Sequence, residues 1–270
     1  ITDHIEYRAN KKILISDHNK SYEIAKAQGD AIGMLVIKGA EITRQKPLGH
    51  LNALFIQDAN KLERPDAIEA IDEAMKQGGF ILWNHPGWPD DKSTMYPIHR
   101  ELIEKQKIHG IEVFNGWEAY PKVIDWCQEF NLAPISNSDI HYTSANLYRG
   151  KLMRPMTLVF AKDYTEQGVK DAMFSGRTLA FYNNVLSGDE GLLKSLIKAS
   201  LSVRVINEKN GMIEITNLSD IAYEIKYGEY MYPMPLYPNQ VLRATIPTGT
   251  DVEFSNCICG KDRHITLKLW

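Results

Sequence analysis

Cysteine is scarce in this chain: Cys127, Cys257 and Cys259 are the three among 270 residues. An odd and small number excludes a disulfide scaffold. Cys257 and Cys259 stand two apart near the end, too close for a relaxed mutual bridge in a strand, and read as buried strand residues. No apolar run approaches the ~20 residues that span a bilayer. Neither sign of charge dominates. The 31 Lys and Arg against 34 Asp and Glu leave a net charge of -3, without the excess expected for a nucleic-acid or anionic-membrane partner. Internal repeats and low-complexity tracts are also missing. Ile1 is not an initiator methionine and no signal peptide is legible, so the compartment is unreadable.

What remains is an ordinary globular composition, 44% hydrophobic and 24% charged, long enough for one large domain or a moderate one with a small companion. Up to about residue 185, strand-like and helix-like segments alternate. Strands are expected over 35–37, 50–56, 80–83, 111–114, 132–135, 156–160 and 178–182. Helices are expected after Pro65, where Ala67, Ile68, Ile71, Ala74 and Met75 share a face that ends at Gly78-Gly79, then over 97–108, around Val123 to Phe130, and over 166–174. Strands alternating with helices of this length predict βα units and a parallel, barrel-like sheet. After Asn184 a helix over 191–198 leads into short strands separated by Asn-Gly, Asn-Leu-Ser-Asp and Pro-Asn, the pattern of a small antiparallel sandwich. The expected division is a barrel over 1–186 and an all-β sandwich over 187–270.

Five short segments near the apolar runs carry acidic residues or histidine: Thr2-Asp3-His4, Gly39-Ala40-Glu41, Gly49-His50, Asn84-His85-Pro86 and Ser138-Asp139-Ile140-His141. A carboxylate with two neutral imidazoles, as Glu41, His50 and His85 offer, is a sufficient shell for one zinc, manganese or iron ion. Asp139 and His141, two apart, share one side of an extended strand, and His4 can join His141 on a further ion. Each residue alone also has a plain structural reading: His85 as a turn residue before proline, Asp3 and Asp139 as caps or turn formers. Their joint placement at strand ends is the stronger observation, because a barrel gathers those ends. His99 and His109 are expected at the surface, and His18 at the mouth of the site.

The segments ITDH, GAEITR with GHLNAL, WNHPGWP, IEVFNG and SNSDIH, taken in order, resemble the PHP (polymerase and histidinol phosphatase) family of metal-dependent phosphoesterases over roughly the first two-thirds of the chain. The resemblance implies a distorted (β/α)7 barrel with two or three divalent ions at the strand C-termini. Glu41 would bridge ions, His50 and His85 would complete the second, Asp139 would bind the first, and His4 with His141 would serve a third. The family's first motif, a His-x-His on strand one, lies upstream of ITDH and is not in this sequence, so the first strand is expected to be missing. The implied reaction is hydrolysis of a small phosphorylated substrate by metal-activated hydroxide, with Glu41 and Asp139 in the reacting centre. Arg8, Arg44, Lys46 and Arg149 are the candidate phosphate-gripping cations by position. Two other readings stand beside it: amidohydrolase-type C–N or C–O hydrolysis, which needs fewer cations at the mouth, and a non-catalytic binding module with a decayed barrel.

Overall fold

The computed structural model describes residues 1–7, 17–88, 91–143, 153–229 and 232–270. A six-stranded sheet is built from β1 (Gly39–Thr43), β2 (His50–Leu54), β3 (Phe80–Trp83), β4 (Gly110–Asn115), β5 (Glu118–Ala119) and β6 (Ala133–Asn137). The order is β1-β2-β3-β4-β5, with β6 also paired to β4. The sheet is not parallel throughout, as the alternation of strands and helices predicts. The pairs β1-β2, β2-β3 and β4-β5 are antiparallel, while β3-β4 and β4-β6 are parallel. Residues 44–49 alone separate β1 from β2, far too short for a crossover helix, so the chain must turn back. β3 and β4 are buried along their whole length, as strands covered on both faces require.

The helices α2 (Ala67–Lys76), α3 (Pro97–Glu104) and α4 (Pro121–Phe130) follow the apolar periodicity. Asp66 starts α2 by accepting from the amides of Ile68 (2.7 Å) and Glu69 (3.1 Å). Ala70, Ile71 and Ala74 form its buried face, and left-handed Gly78 ends it with a bond from Gly79 N to Ala74 O (2.9 Å). An earlier helix, α1 (Lys20–Ala31), buries only Gly29. The expected strand over 35–37 does not form. The β1–β2 ladder begins at Gly39 opposite Leu54, and no described strand pairs with 35–37.

β7 (Met156–Val159), α5 (Glu166–Phe174) and the hairpin of β8 (Thr178–Tyr182) and β9 (Val185–Gly188) come next. Asn183 and Asn184 form the two-residue turn of that hairpin, with φ of 45° and 67°. Such turns need positive φ at both positions, which asparagine tolerates. These strands do not extend the first sheet. They belong to a seven-stranded sheet of order β13-β12-β15-β9-β8-β7, with β16 on β15 and β9 parallel to β15. Its later members are β12 (Tyr223–Lys226), β13 (Met234–Leu236), β15 (Asp251–Gly260) and β16 (Arg263–Lys268). Residue 186, the expected domain limit, lies inside β9.

A three-stranded sheet of β10 (Leu201–Asn207), β11 (Met212–Asn217) and β14 (Val241–Thr245) shares a core with this sheet. Ile213, Ile215, Tyr223, Ile225 and Phe254 fill that core, together with Leu193 and Ile197 of α6 (Glu190–Ser200). Cys257 and Cys259 are buried free thiols within β15, as expected. Pro235 of the aromatic and proline-rich stretch sits in edge strand β13, where a missing amide costs no ladder bond. The whole is a mixed α/β fold, with no helix among the described residues long and apolar enough to cross a membrane.

Candidate metal centre

The antiparallel turn between β1 and β2 does the first assembly step. It pairs Thr43 with His50, so the end of β1 and the start of β2 meet at one edge. Glu41 lies in the middle of β1, not beyond a strand, and is 5% exposed. Its Oε1 stands 2.8 Å from His50 Nδ1, 3.1 Å from His4 Nδ1 and 3.0 Å from the Thr43 hydroxyl that donates to it. The 1–7 segment runs parallel alongside β1, through Ile5 N to Glu41 O and Glu41 N to Asp3 O (both 2.9 Å), which delivers His4.

His85 arrives from the end of β3 and is 9% exposed, with φ of 26°, in a region that non-glycine residues seldom adopt. Glu112 holds it there, because its Oε2 accepts from the His85 amide at 2.6 Å. Ring centroids of His50 and His85 are 4.8 Å apart, and those of His4 and His141 5.8 Å. One ligand atom from each of Glu41, His50 and His85 lies within 4.8 Å of the others. His85 Nδ1 is buried without a hydrogen-bond partner. A buried orphan nitrogen beside a carboxylate and a second imidazole fits a divalent ion well.

Asp139 and His141 follow β6 but not in an extended strand. Asp139 is left-handed (φ 47°), and its carboxylate oxygen lies 3.7 Å from His141 Nδ1. All six histidine and acidic candidates nevertheless line one cavity of about 750 Å3, and His4, Glu41, Asp139 and His141 also line a second of about 860 Å3.

Charge in this centre is set by burial and by the imidazoles. Burial pushes the Glu41 carboxyl up, but the hydrogen bond and charge of His50, then the charge of His4, outweigh it and leave it below the usual carboxylate range. Burial, then the charge of His50, lowers His85 and favours the neutral ring that a metal requires. Glu112 was not singled out from the sequence. It is 1% exposed and accepts from His85 N, Asn115 Nδ2 (2.7 Å) and Asn137 Nδ2 (2.8 Å), yet burial still raises it to about 8. Its signal was a lone charge inside the apolar run of IEVF.

The cations fall differently from expectation. Arg8 and Arg149 lie outside the described residues. Arg44 is turned to structural use: it pairs with Glu6 and donates to Thr43 O (3.2 Å) and Arg64 O (2.8 Å). It lines neither cavity, and Lys46 is exposed in the 44–49 loop. Arg154, overlooked in the sequence, is the one arginine or lysine among the described residues lining the two cavities.

The remaining histidines also differ. His99 is buried, stacked on Trp83 at 3.8 Å with Nε2 against Leu48 O (2.7 Å). His109 Nδ1 accepts from Ile81 N (2.9 Å), and burial lowers its pKa to about 4. Neither is the surface residue expected of it. His18 packs on the loop after β2, its amide donating to Asn60 Oδ1 (2.8 Å), and lines neither cavity.

Neither a scan against protein-family models nor a search of curated proteins finds a match. Among solved structures, the chain is similar to a two-domain protein containing a predicted PHP-like metal-dependent phosphoesterase from Bacteroides vulgatus ATCC 8482. The two share 35% identity with a TM-score of 0.92, over 100% of this chain and 84% of the other.

Proposed function

The chain belongs to the family of two-domain proteins with a PHP-like metal-dependent phosphoesterase, and from that membership we propose that it hydrolyses a small phosphate ester at the Glu41, His50 and His85 centre. The observation that carries the reading is this trio, with Glu41 and His85 buried, His50 half-buried and an orphan nitrogen on His85. Two features support reading the first sheet and β7–β8 as walls of a distorted (β/α)7 barrel. Ser136 N donates to Thr157 Oγ1 (2.9 Å), and Ser136 Oγ donates to Phe181 O (3.3 Å).

Glu41, His50 and His85 would hold one divalent ion, zinc, manganese or iron, with Asp139, His4 and His141 placed to hold others. Ions so held would supply Lewis acidity for phosphate oxygens and for the attacking water. Glu41 brings the negative charge that neutral imidazoles lack. Asp139, a third exposed on the cavity rim, accepts the proton of the attacking water and orients it. Thr43 and Asn84, whose Nδ2 donates to Glu41 Oε2 (3.3 Å), fix the carboxylate's rotamer. Glu112 fixes the His85 backbone.

Arg154 grips the phosphate. A charged hydrogen bond of this kind is worth roughly 10-fold or more in binding. Arg154→Ala should therefore raise KM for a phosphate monoester about 10-fold while changing kcat much less. Steady-state kinetics with a wild-type control check this.

Among the described residues one cation lines the cavities, and that observation favours amide or lactone hydrolysis as the second reading. A panel of phosphate esters, amides and lactones separates the two. Turnover of the esters alone is expected, and turnover of amides or lactones alone would overturn the phosphoesterase reading.

A further inference from the structure

The 750 Å3 cavity is lined by the six candidate ligands and also by Trp88, Trp117 and Tyr142. These rings are 41%, 53% and 76% exposed. Single exposed aromatics are commonplace, but three lining one cavity together with polar groups mark a ligand surface. Two of them are held firmly. Trp88 lies against His50 (4.4 Å between centroids) and edge-on to His85 (5.7 Å), and its amide donates to His85 O at 2.9 Å. Trp117 occupies the two-residue turn between β4 and β5, where Asn115 pairs with Glu118 and left-handed Gly116 donates to Asn137 O at 3.1 Å.

Charge narrows the ligand further. The described residues lining this cavity include no lysine or arginine, whereas Glu118 adds a carboxylate that accepts from the Tyr120 hydroxyl at 2.6 Å. A second phosphate, or the backbone of a nucleic acid, would meet that carboxylate without a counter-charge. The volume suits a small molecule with one ring system.

Resting on the phosphoesterase reading, we propose that the substrate is a monoester whose alcohol half carries a single neutral ring system, stacked between Trp88, Trp117 and Tyr142. The shared chemistry is the ring face, which a nucleobase or a sugar can present. Stacking of this kind contributes on the order of 10-fold in binding per ring contact.

Two measurements test the proposal. In calorimetric titration, phenylphosphonate should bind about 10-fold more tightly than methylphosphonate, whose C–P bond is equally inert to hydrolysis. Trp117→Ala should remove that preference, and Tyr232→Ala, on an exposed ring elsewhere, should keep it. In steady-state assays, adenosine 5'-phosphate, glucose 6-phosphate and glycerol 3-phosphate share a primary-alcohol leaving group. The ring-bearing esters should win through KM, and Trp117→Ala should shrink their advantage. Preference for the nucleotide alone assigns a base, and preference for both, or for glucose 6-phosphate alone, assigns a sugar. Equal binding of the two phosphonates, or an equal loss for all ligands in Trp117→Ala, overturns the ring subsite. If no ester turns over but the phosphonate preference and its loss in Trp117→Ala persist, the hydrolase reading falls and the ring subsite stands.

Discussion

Glu41→Gln removes bound metal and hydrolysis together. In the folded chain, Glu41 Oε1 is the common neighbour of His50, His4 and Thr43, and the carboxylate is the one negative charge in the trio. Glutamine keeps the size but presents a neutral oxygen and an NH2 group to donors. Loss of an outer partner of a metal ligand typically costs 10- to 100-fold in affinity, and loss of the ligand's own charge should cost on the order of 100-fold or more. Metal retention and kcat/KM should fall in parallel, measured by elemental analysis and ester turnover on the same preparation. The chelator-treated variant should melt near chelator-treated wild type, which separates metal loss from unfolding. A wild-type rate with full metal content would refute Glu41 as a metal ligand.

Glu112 gives the second large effect, on stability first and metal second. Glu112→Ala leaves the His85 amide and the side-chain amides of Asn115 and Asn137 without their acceptor. Each buried unsatisfied donor costs about 1–3 kcal/mol, so a loss of about 3 kcal/mol or more is expected in urea unfolding. Metal affinity should fall about 10-fold besides, because the bond to Glu112 holds His85 at its left-handed φ.

Glu112→Gln adds a pH test on chelator-treated protein. The folded pKa is raised to about 8 from 4.5, so between those values the folded chain keeps a proton that the unfolded chain releases. Stability from this group is therefore present below the unfolded pKa and lost as pH rises towards 8. Wild type should lose about 1.4 kcal/mol per pH unit relative to Glu112→Gln across that window. A difference that stays flat with pH would show that Glu112 is ionised throughout in the metal-free chain.

Much of this centre was legible in the sequence because it depends on local signals. The runs at 80–83 and 178–182 and the helix over 166–174 formed where periodicity placed them. The candidates His4, Glu41, His50, His85, Asp139 and His141 all reached one cavity. What failed was pairing. Apolar residues 35–37 looked like a strand, but strands exist by their partners, and β2 offers its ladder only from Gly39 onward. The strand–helix alternation suggested a parallel sheet, but the β1 that forms ends at Thr43, and the six residues left before His50 force reversal. The Asn183-Asn184 turn likewise tied β8 to β9, and β9 pairs with β15 of the seven-stranded sheet. Asp139 and His141 were expected in extended geometry, which left-handed Asp139 denies. Arg44 went to Glu6 instead of to the cavity because side-chain partners 38 residues away are invisible in a linear reading.

Metal content per chain, by elemental analysis of protein purified without chelator, tests the central claim most directly. The account predicts at least one equivalent of zinc, manganese or iron, removed by chelator with loss of ester hydrolysis and restored together with it. Protein that is free of metal yet hydrolyses phosphate esters at an undiminished rate after chelation would contradict it.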